Sequence, residues 1–371
     1  MAKIKLLSLW VLWGVFPTVF ASTACEDVDN PTPPGSGNSG KAVLWTKVAN
    51  NPLGGGSIHD VARGDTYFVA VSGNDIAYSE KGFSWTKLAT GLSGGWVYEG
   101  LPNTFEGYSI AYGNGVFVMM DFYGAAAYAN ENALSTWTKA PRVGADSQPF
   151  SGQTVGTHLG VSGFNIGVRF CNNLFIAHQN GKIKYSADKG LSWNDALWTG
   201  GGSPFKIISN MVCSKSGVVA VGSSTSLKSK GSGRVAYSDD GRTWSELKGH
   251  PFVGFIPALV WNGDMFIAFE NAYDDETSQW SARVAVSRNG TVWEVVNEHA
   301  GSIPPGAWYL GLGGGQYVSG YGHVMRYSDD GIVWGGEYEL EDSNGFYSLA
   351  YGDKRFVGVG LGVLAYSEDM E

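Results

Sequence analysis

The chain has 371 residues with a formal net charge of −9, and 43% of them are hydrophobic. That supplies core for one large or two ordinary domains. The acidic balance, with no basic run or stripe to offset it, excludes nucleic acid and anionic membrane as electrostatic partners. The 54 glycines are about twice the usual share of roughly 7%. They follow no collagen-like period, which suits many tight turns between short strands.

Residues 1–24 read as an export signal. Lys3 and Lys5 precede an apolar run from Leu6 to Phe16, followed by small-residue cleavage sites at Val19-Phe20-Ala21 or Ser22-Thr23-Ala24. The run is too short and interrupted to span a bilayer. Its removal deletes two lysines and no acid, which takes the formal charge to −11. Cys25 stands where a lipoprotein's acylated cysteine would, although Ser22 occupies the place of the usual leucine. Both a lipid anchor at Cys25 and simple secretion stay open, so the chain is expected to be an envelope lipoprotein or a secreted or periplasmic protein. Residues 25–40, acidic and then rich in Pro, Gly and Ser, read as a flexible tether.

From residue 41 a cassette recurs seven times. The strongest copies are Tyr185-Ser186-Ala187-Asp188-Lys189-Gly190-Leu191-Ser192-Trp193, Tyr237-Ser238-Asp239-Asp240-Gly241-Arg242-Thr243-Trp244 and Tyr327-Ser328-Asp329-Asp330-Gly331-Ile332-Val333-Trp334. Looser copies carry Tyr78-Ser79 with Gly82 and Trp85, Val286-Ser287 with Gly290 and Trp293, and Tyr128-Ala129 with Trp137. The last copy, Tyr366-Ser367-Glu368-Asp369, reaches the C-terminus before any tryptophan, and Ala42 to Val48, with Trp45, resembles its missing half. A repeat split between the termini implies a closed ring.

Each repeat holds four short apolar segments, as in 109–112, 116–120, 125–128 and 136–139, separated by turn residues such as Gly113-Asn114-Gly115. This is a four-stranded antiparallel meander. Tryptophans at 45, 85, 137, 193, 244, 293 and 334 mark a spacing of 40 to 56 residues, near that of propeller blades. The expected fold is all-β: a seven-bladed β-propeller over residues 41–371, its last blade completed by residues 41–49. In each cassette the serine and acid bond the turn between third and fourth strands, the glycine permits its geometry, and the tryptophan opens the fourth strand. Cys171 and Cys213 fall at similar places in neighbouring repeats, and both a disulfide across adjacent blades and two buried thiols remain open.

These features resemble the Asp-box of the sialidase-like (BNR repeat) propellers, Ser-x-Asp-x-Gly-x-Thr/Ser-Trp. Ser186 to Trp193 matches the pattern in full, while the copies at Ser79, Ser238, Ser287 and Ser328 are one residue shorter. The resemblance implies the fold and, for some members, glycosidase activity. A sialidase would carry an arginine triad and an Arg-Ile-Pro motif. Here the Ile-Pro pairs, Ile256-Pro257 and Ile303-Pro304, follow Phe255 and Ser302. Arg234, Arg283 and Arg326 recur at the start of the third strand, a structural position, so the chain reads as a non-sialidase member. A seven-bladed Asp-box propeller is also similar to the photosystem II stability/assembly factors, which adds an assembly scaffold as a third reading.

Another hydrolase would need two carboxylates flanking one glycosidic bond, about 5 to 10 Å apart. Glu99, Asp121, Glu270, Asp274, Asp275 and Glu276 lie outside the cassettes, without a recognisable pairing. The run Asp274-Asp275-Glu276 reads as a solvated loop rather than a calcium site. Neither the histidine spacing nor any nucleotide or nucleophile fingerprint points to a cofactor, and none is expected.

Insertions fall on the face that carries the second-to-third turns and the connections between blades: 90–108, 142–167, 222–234, 249–257, 271–282, 298–307 and 338–346. They bring Trp96, Tyr98, Phe105, Phe150, His158, His250, Tyr273, Trp280 and His299, with Trp308 at a loop's end, together with Phe164 and Phe252, and Phe205 lies in a further connection between repeats. Aromatics beside polar residues on long loops of a rigid scaffold suit sugar stacking or protein contact. The expected function is therefore an exported, non-catalytic propeller that binds glycan or protein through this face. A glycoside hydrolase or lyase with a site on the same face is the alternative.

Overall fold

The computed structural model describes residues 41–73, 75–92, 107–121, 125–140, 166–225, 231–274, 279–297 and 309–370. The expected export signal, the tether and Cys25 lie outside them. The fold is a seven-bladed β-propeller. Blade I is the meander Asp60–Arg63, Phe68–Ser72, Asp75–Ser79 and Thr86–Leu88. Blades II to VI span 107–139, 166–195, 207–246, 255–297 and 309–339, and blade VII spans 346–367 plus a strand from the other end of the chain. Among the described residues the one helical element is the 3-10 turn Glu131–Ala133.

Burial follows position in the blade. Second strands such as Val116–Asp121 and Leu174–Gln179 are buried along their whole length, because a blade packs on each of their faces, and they read as continuous apolar runs. The short fourth strands, such as Thr86–Leu88, lie largely exposed at the rim. First hairpins turn on residues that accept positive φ, as in Asn114-Gly115 at 52° and 76°.

Among the described residues the apolar side chains form seven clusters, each shared by two adjacent blades, and each contains one cassette tryptophan. Trp85 sits between blades VII and I, Trp137 between I and II, Trp193 between II and III, and so on to Trp45 between VI and VII. Burying each indole is worth about 2–3 kcal/mol. No blade has a core of its own, so a meander is stable only between two neighbours.

The cassette chemistry recurs with little variation. In blade IV Ser238 Oγ accepts from the Gly241 amide at 2.8 Å, Asp240 Oδ1 accepts from the amides of Arg242 and Thr243, both at 2.8 Å, and Trp244 Nε1 donates to the Gly241 carbonyl at 3.2 Å. Blades V and VI repeat this with Asn289 and Asp330 in the acid's place. In the one-residue-longer copy of blade III, Ser186 Oγ accepts from Gly190 N at 2.9 Å and Asp188 Oδ1 from Ser192 N at 2.8 Å. Burial raises the Asp240 carboxyl, but bonds from the Thr243 and Arg242 amides and from Ser238, with the Arg242 charge, hold it below its ordinary value.

The cassette glycines also form the joints between blades. A Cβ on Gly82, Gly241, Gly290 or Gly331 would lie 2.5 to 2.7 Å from Val357, Ile176, Val219 or Ile267, each on the second strand of the preceding blade. Blade II lacks both serine and glycine and solves the joint differently. Glu131 reaches into blade I, where its Oε1 accepts from the amides of Thr66 at 2.8 Å and Tyr67 at 3.0 Å.

The ring closes through the N-terminal strand Trp45–Lys47, antiparallel to Val363–Ser367 with Trp45 opposite Ser367 and Lys47 opposite Ala365. With no glycine carbonyl to meet it, Trp45 Nε1 donates to the Tyr327 hydroxyl of blade VI at 2.7 Å. Cys171 and Cys213 are joined by a disulfide with Cα atoms 5.7 Å apart, which ties the first strands of blades III and IV. The interval read from sequence as a loop at 271–282 is mostly strand: Phe266–Asp274 and Gln279–Ser287 form one extended hairpin.

Two substitutions test these joints by denaturant unfolding. Trp45→Ala should lower stability by about 3–5 kcal/mol, and an unchanged midpoint would refute closure by this strand. Gly241→Ala combines a positive φ of 75° with the Ile176 clash, whereas Gly115→Ala has a φ of 76° and open space. Gly115→Ala should cost about 1–2 kcal/mol and Gly241→Ala about 1–3 kcal/mol more. Equal costs would show that the glycine serves its turn alone.

Candidate binding site at the axial mouth

The seven first strands ring the axis, each against the next. They enter from the face that receives the connections between blades, so their leading residues surround the axial mouth on the insertion-rich side. Three adjacent first strands begin alike: Ile58-His59-Asp60-Val61 in blade I, Gly107-Tyr108-Ser109-Ile110 in blade II and Phe346-Tyr347-Ser348-Leu349 in blade VII. His59, Tyr108 and Tyr347 are partly exposed, while Asp60, Ser109 and Ser348 are buried beneath them.

At the mouth the His59 imidazole stacks on Tyr108, with ring centroids 4.5 Å apart and planes 25° from parallel. Register shifts at Gly107/Ser109 and Phe346/Ser348 make Tyr108 and Tyr347 bulge residues. Bulges re-aim a side chain out of the strand's regular alternation. Tyr347 also hydrogen-bonds Ser57. Burial holds the imidazole of His59 neutral, with its pKa lowered to about 4, and pushes the Tyr108 hydroxyl upward. His59, Tyr108 and Tyr347 thus give this part of the mouth an aromatic patch with polar edges that carries no charge of its own at neutral pH.

One layer deeper, Asp60 organises the axis. Its Oδ1 accepts from Ser348 Oγ at 2.6 Å and Val61 N at 2.9 Å, and its Oδ2 accepts from Ser109 Oγ and Ile110 N, both at 3.0 Å. Ser109 Oγ in turn accepts from Val168 N at 3.2 Å. This belt links blades VII, I, II and III. On the far side Ser209 donates to the Ile256 carbonyl, linking IV and V. Burial raises the Asp60 carboxyl and the nearby Arg169 charge lowers it, leaving it above its ordinary value.

Of the residues read from sequence as candidate ligand contacts, His250, Tyr273 and Trp280 fall within the described residues. His250 is half-buried with its ring 5.7 Å from Phe252, and burial with the Arg234 charge lowers its pKa. Tyr273 and Trp280 occupy facing register positions in the long blade V hairpin. Trp96, Tyr98, Phe105, Phe150, His158, His299 and Trp308 lie outside the described residues. Phe205 and Phe252 are buried in interblade cores. His59, Tyr108 and Tyr347 went unremarked in the sequence, although the shared pattern of ring residue followed by serine or aspartate was legible.

Several charged candidates are taken up internally. Asp121 Oδ1 accepts from the Ala125 amide at 2.6 Å. Glu270 is buried, bridges Arg283 at 3.0 Å and accepts from the amides of Val253 and Gly254, fixing the connection between blades IV and V. Arg234 pairs with Glu246 at 3.5 Å and Arg326 with Glu337 at 2.7 Å, each within its own blade. The three recurring arginines are therefore structural. No group of three metal-ligating side chains comes together among the described residues.

No protein-family model and no curated protein matches the chain. Solved structures do match it. YCF48 bound to D1 peptide is 13% identical with a TM-score of 0.58, covering 90% of this chain and 98% of that one. YCF48 from Cyanidioschyzon merolae is 11% identical with a TM-score of 0.57, over 88% of this chain and 99% of that one. The WD40 propeller domain of Doa1 is 11% identical with a TM-score of 0.58, over 88% and 97%. At these identities the likeness is one of fold, and the class it defines is the β-propeller.

The partly buried His59 imidazole predicts a pH dependence. A histidine whose folded pKa is lowered from 6.5 to about 4 leaves stability intact above pH 6.5 and erodes it as pH falls toward 4, by up to about 3 kcal/mol. His59→Gln should flatten the decline of the melting temperature between pH 6.5 and 4. An unaltered slope would mean that His59 protonates freely in the fold.

Proposed function

We propose that the protein is an exported, non-catalytic propeller that binds a segment of another protein on its insertion-rich face, centred on the axial mouth. The observation that carries this reading is the His59-Tyr108 stack with Tyr347, held at the mouth by the buried Asp60 belt. A rigid, uncharged aromatic platform offers apolar contact at low entropic cost, and hydroxyls at its margin can bond a peptide backbone. The resemblance in fold to a YCF48 solved with a bound peptide supports the same reading.

Export, with either a lipid anchor at Cys25 or simple secretion, remains part of the proposal, and the loop aromatics Trp96, Tyr98, Phe105, Phe150, His158, His299 and Trp308 are its proposed peripheral contacts. A glycoside hydrolase needs a pair of free carboxylates; Asp121 and Glu270 are committed to holding turns and connections, which weighs against a site built on those two, while Glu99, Asp275 and Glu276 lie outside the described residues. A glycan in place of a peptide is an outcome the test separates.

The test is a peptide array and a glycan array probed with the full chain, with turnover assays on the same glycans. Peptide binding that weakens about tenfold or more in Tyr108→Ala, with the melting temperature held, is the expected result. Glycan binding without peptide binding would replace the ligand class, and glycan turnover would overturn the reading.

A further inference from the structure

Cys171 and Cys213 lie at the ends of consecutive first strands, where each blade makes its first hairpin: Cys171 faces Leu174 and Cys213 faces Val218 across the two turns. The cystine they form is sealed inside the seam between blades III and IV. Cys171 is 1% exposed and Cys213 6%, within the cluster of Leu174, Ile176, Met211, Val218 and Trp244. Blade IV closes this seam from the cassette side. Its turn glycine, Gly241, presses on Ile176 and Leu174, and Asn172, the neighbour of Cys171, donates from Nδ2 to the Asp239 carbonyl of the same turn at 3.4 Å.

Making or breaking a cystine needs more room than this. Thiol–disulfide exchange passes through a mixed disulfide, in which a sulfur of the donor is bonded to a sulfur of the chain and a third sulfur attacks or leaves in line with them. In the finished ring that space is filled by the seam cluster and by the blade IV cassette turn. A donor with any bulk therefore reaches these sulfurs only while the seam is open.

We propose that Cys171 and Cys213 are the substrate of a disulfide donor that acts on the incomplete ring, before blade IV seats on blade III, and that the finished seam then withdraws the cystine from exchange. One cysteine thiolate attacks the donor disulfide and expels a donor thiolate. The other attacks the chain's sulfur in the mixed disulfide and expels the second donor thiolate, so that two electrons and two protons pass from the chain to the donor. The bond closes a separation of 42 residues and sets two first strands side by side, with Cα atoms 5.7 Å apart, before the seam cluster holds them. It also requires the chain to fold where a disulfide donor is present, an oxidising compartment, which agrees with export. The inference is independent of the axial mouth, and either can fail alone.

The test uses the full chain carrying Cys25→Ser, so that Cys171 and Cys213 alone report, with oxidised glutathione as donor and dithiothreitol as reductant. Reduced chain unfolded in urea is diluted into the donor at once, or receives it only after tryptophan fluorescence has reached its native value, and remaining thiols are counted by alkylation and mass. Disulfide formation should be at least about 100-fold slower in the delayed arm, because it then waits for the seam to open. Equal rates would overturn the proposal. A chain that reaches native fluorescence only once the donor is added would bear it out, since oxidation then precedes the fold. Reduction of the native cystine by dithiothreitol should share the denaturant dependence of global unfolding. Reduction that urea does not accelerate would place the sulfurs within reach in the intact ring and would overturn the proposal.

Discussion

Everything in this molecule depends on a core that belongs to no single blade. Each apolar cluster is assembled from two neighbouring meanders, and the seventh forms only when Trp45, some 300 residues distant in sequence, docks between Tyr327 of blade VI and Phe346 of blade VII. Until that strand arrives, blades VI and VII share an open seam, and the final blade has three strands. Ring closure is therefore the step that converts a row of meanders, each exposing apolar faces, into a structure with only short edges.

The cassette is best understood as the repeated hinge pin of that ring. Serine and acid fix the turn, the glycine lets the turn press against the preceding blade, and the tryptophan fills the seam between the two. The motif was legible because turn chemistry is local: Ser186, Ser238 and Ser328 each bond the amide that their spacing predicts. Its exceptions were less legible. Blade II keeps Trp137 but replaces the serine-glycine device with Glu131, which bonds backbone in another blade, and no local pattern announces a contact made 65 residues away.

The axial belt escaped the sequence for a related reason. Asp60, Ser109 and Ser348 are single polar residues inside apolar strands, and only closure brings 60 and 348 within hydrogen-bonding distance. The sequence located the insertion-rich face through loop length, yet loop length draws attention to loops, and the residues that meet at the mouth are the leading residues of strands. Glu270 and Asp121, conspicuous as acids outside the cassettes, serve backbone amides instead. A buried carboxylate that accepts several amide bonds is structural however exposed it looks on paper.

The two faces thus divide the work. The cassette face is built of near-identical short turns and is where the described chain enters and leaves, at Trp45 and Ser367. The opposite face is free to vary, and its centre is stiffened by the belt below. The account's central claim is that closure through Trp45–Lys47 makes the ring one cooperative unit. Native-state hydrogen exchange tests it most directly by comparing the third strand of blade VII, Val363–Ser367, with the third strand of blade IV, Gly233–Ser238. The account predicts that both open with the same free energy and the same denaturant dependence. Opening of the blade VII strand several kcal/mol below that of blade IV would contradict it.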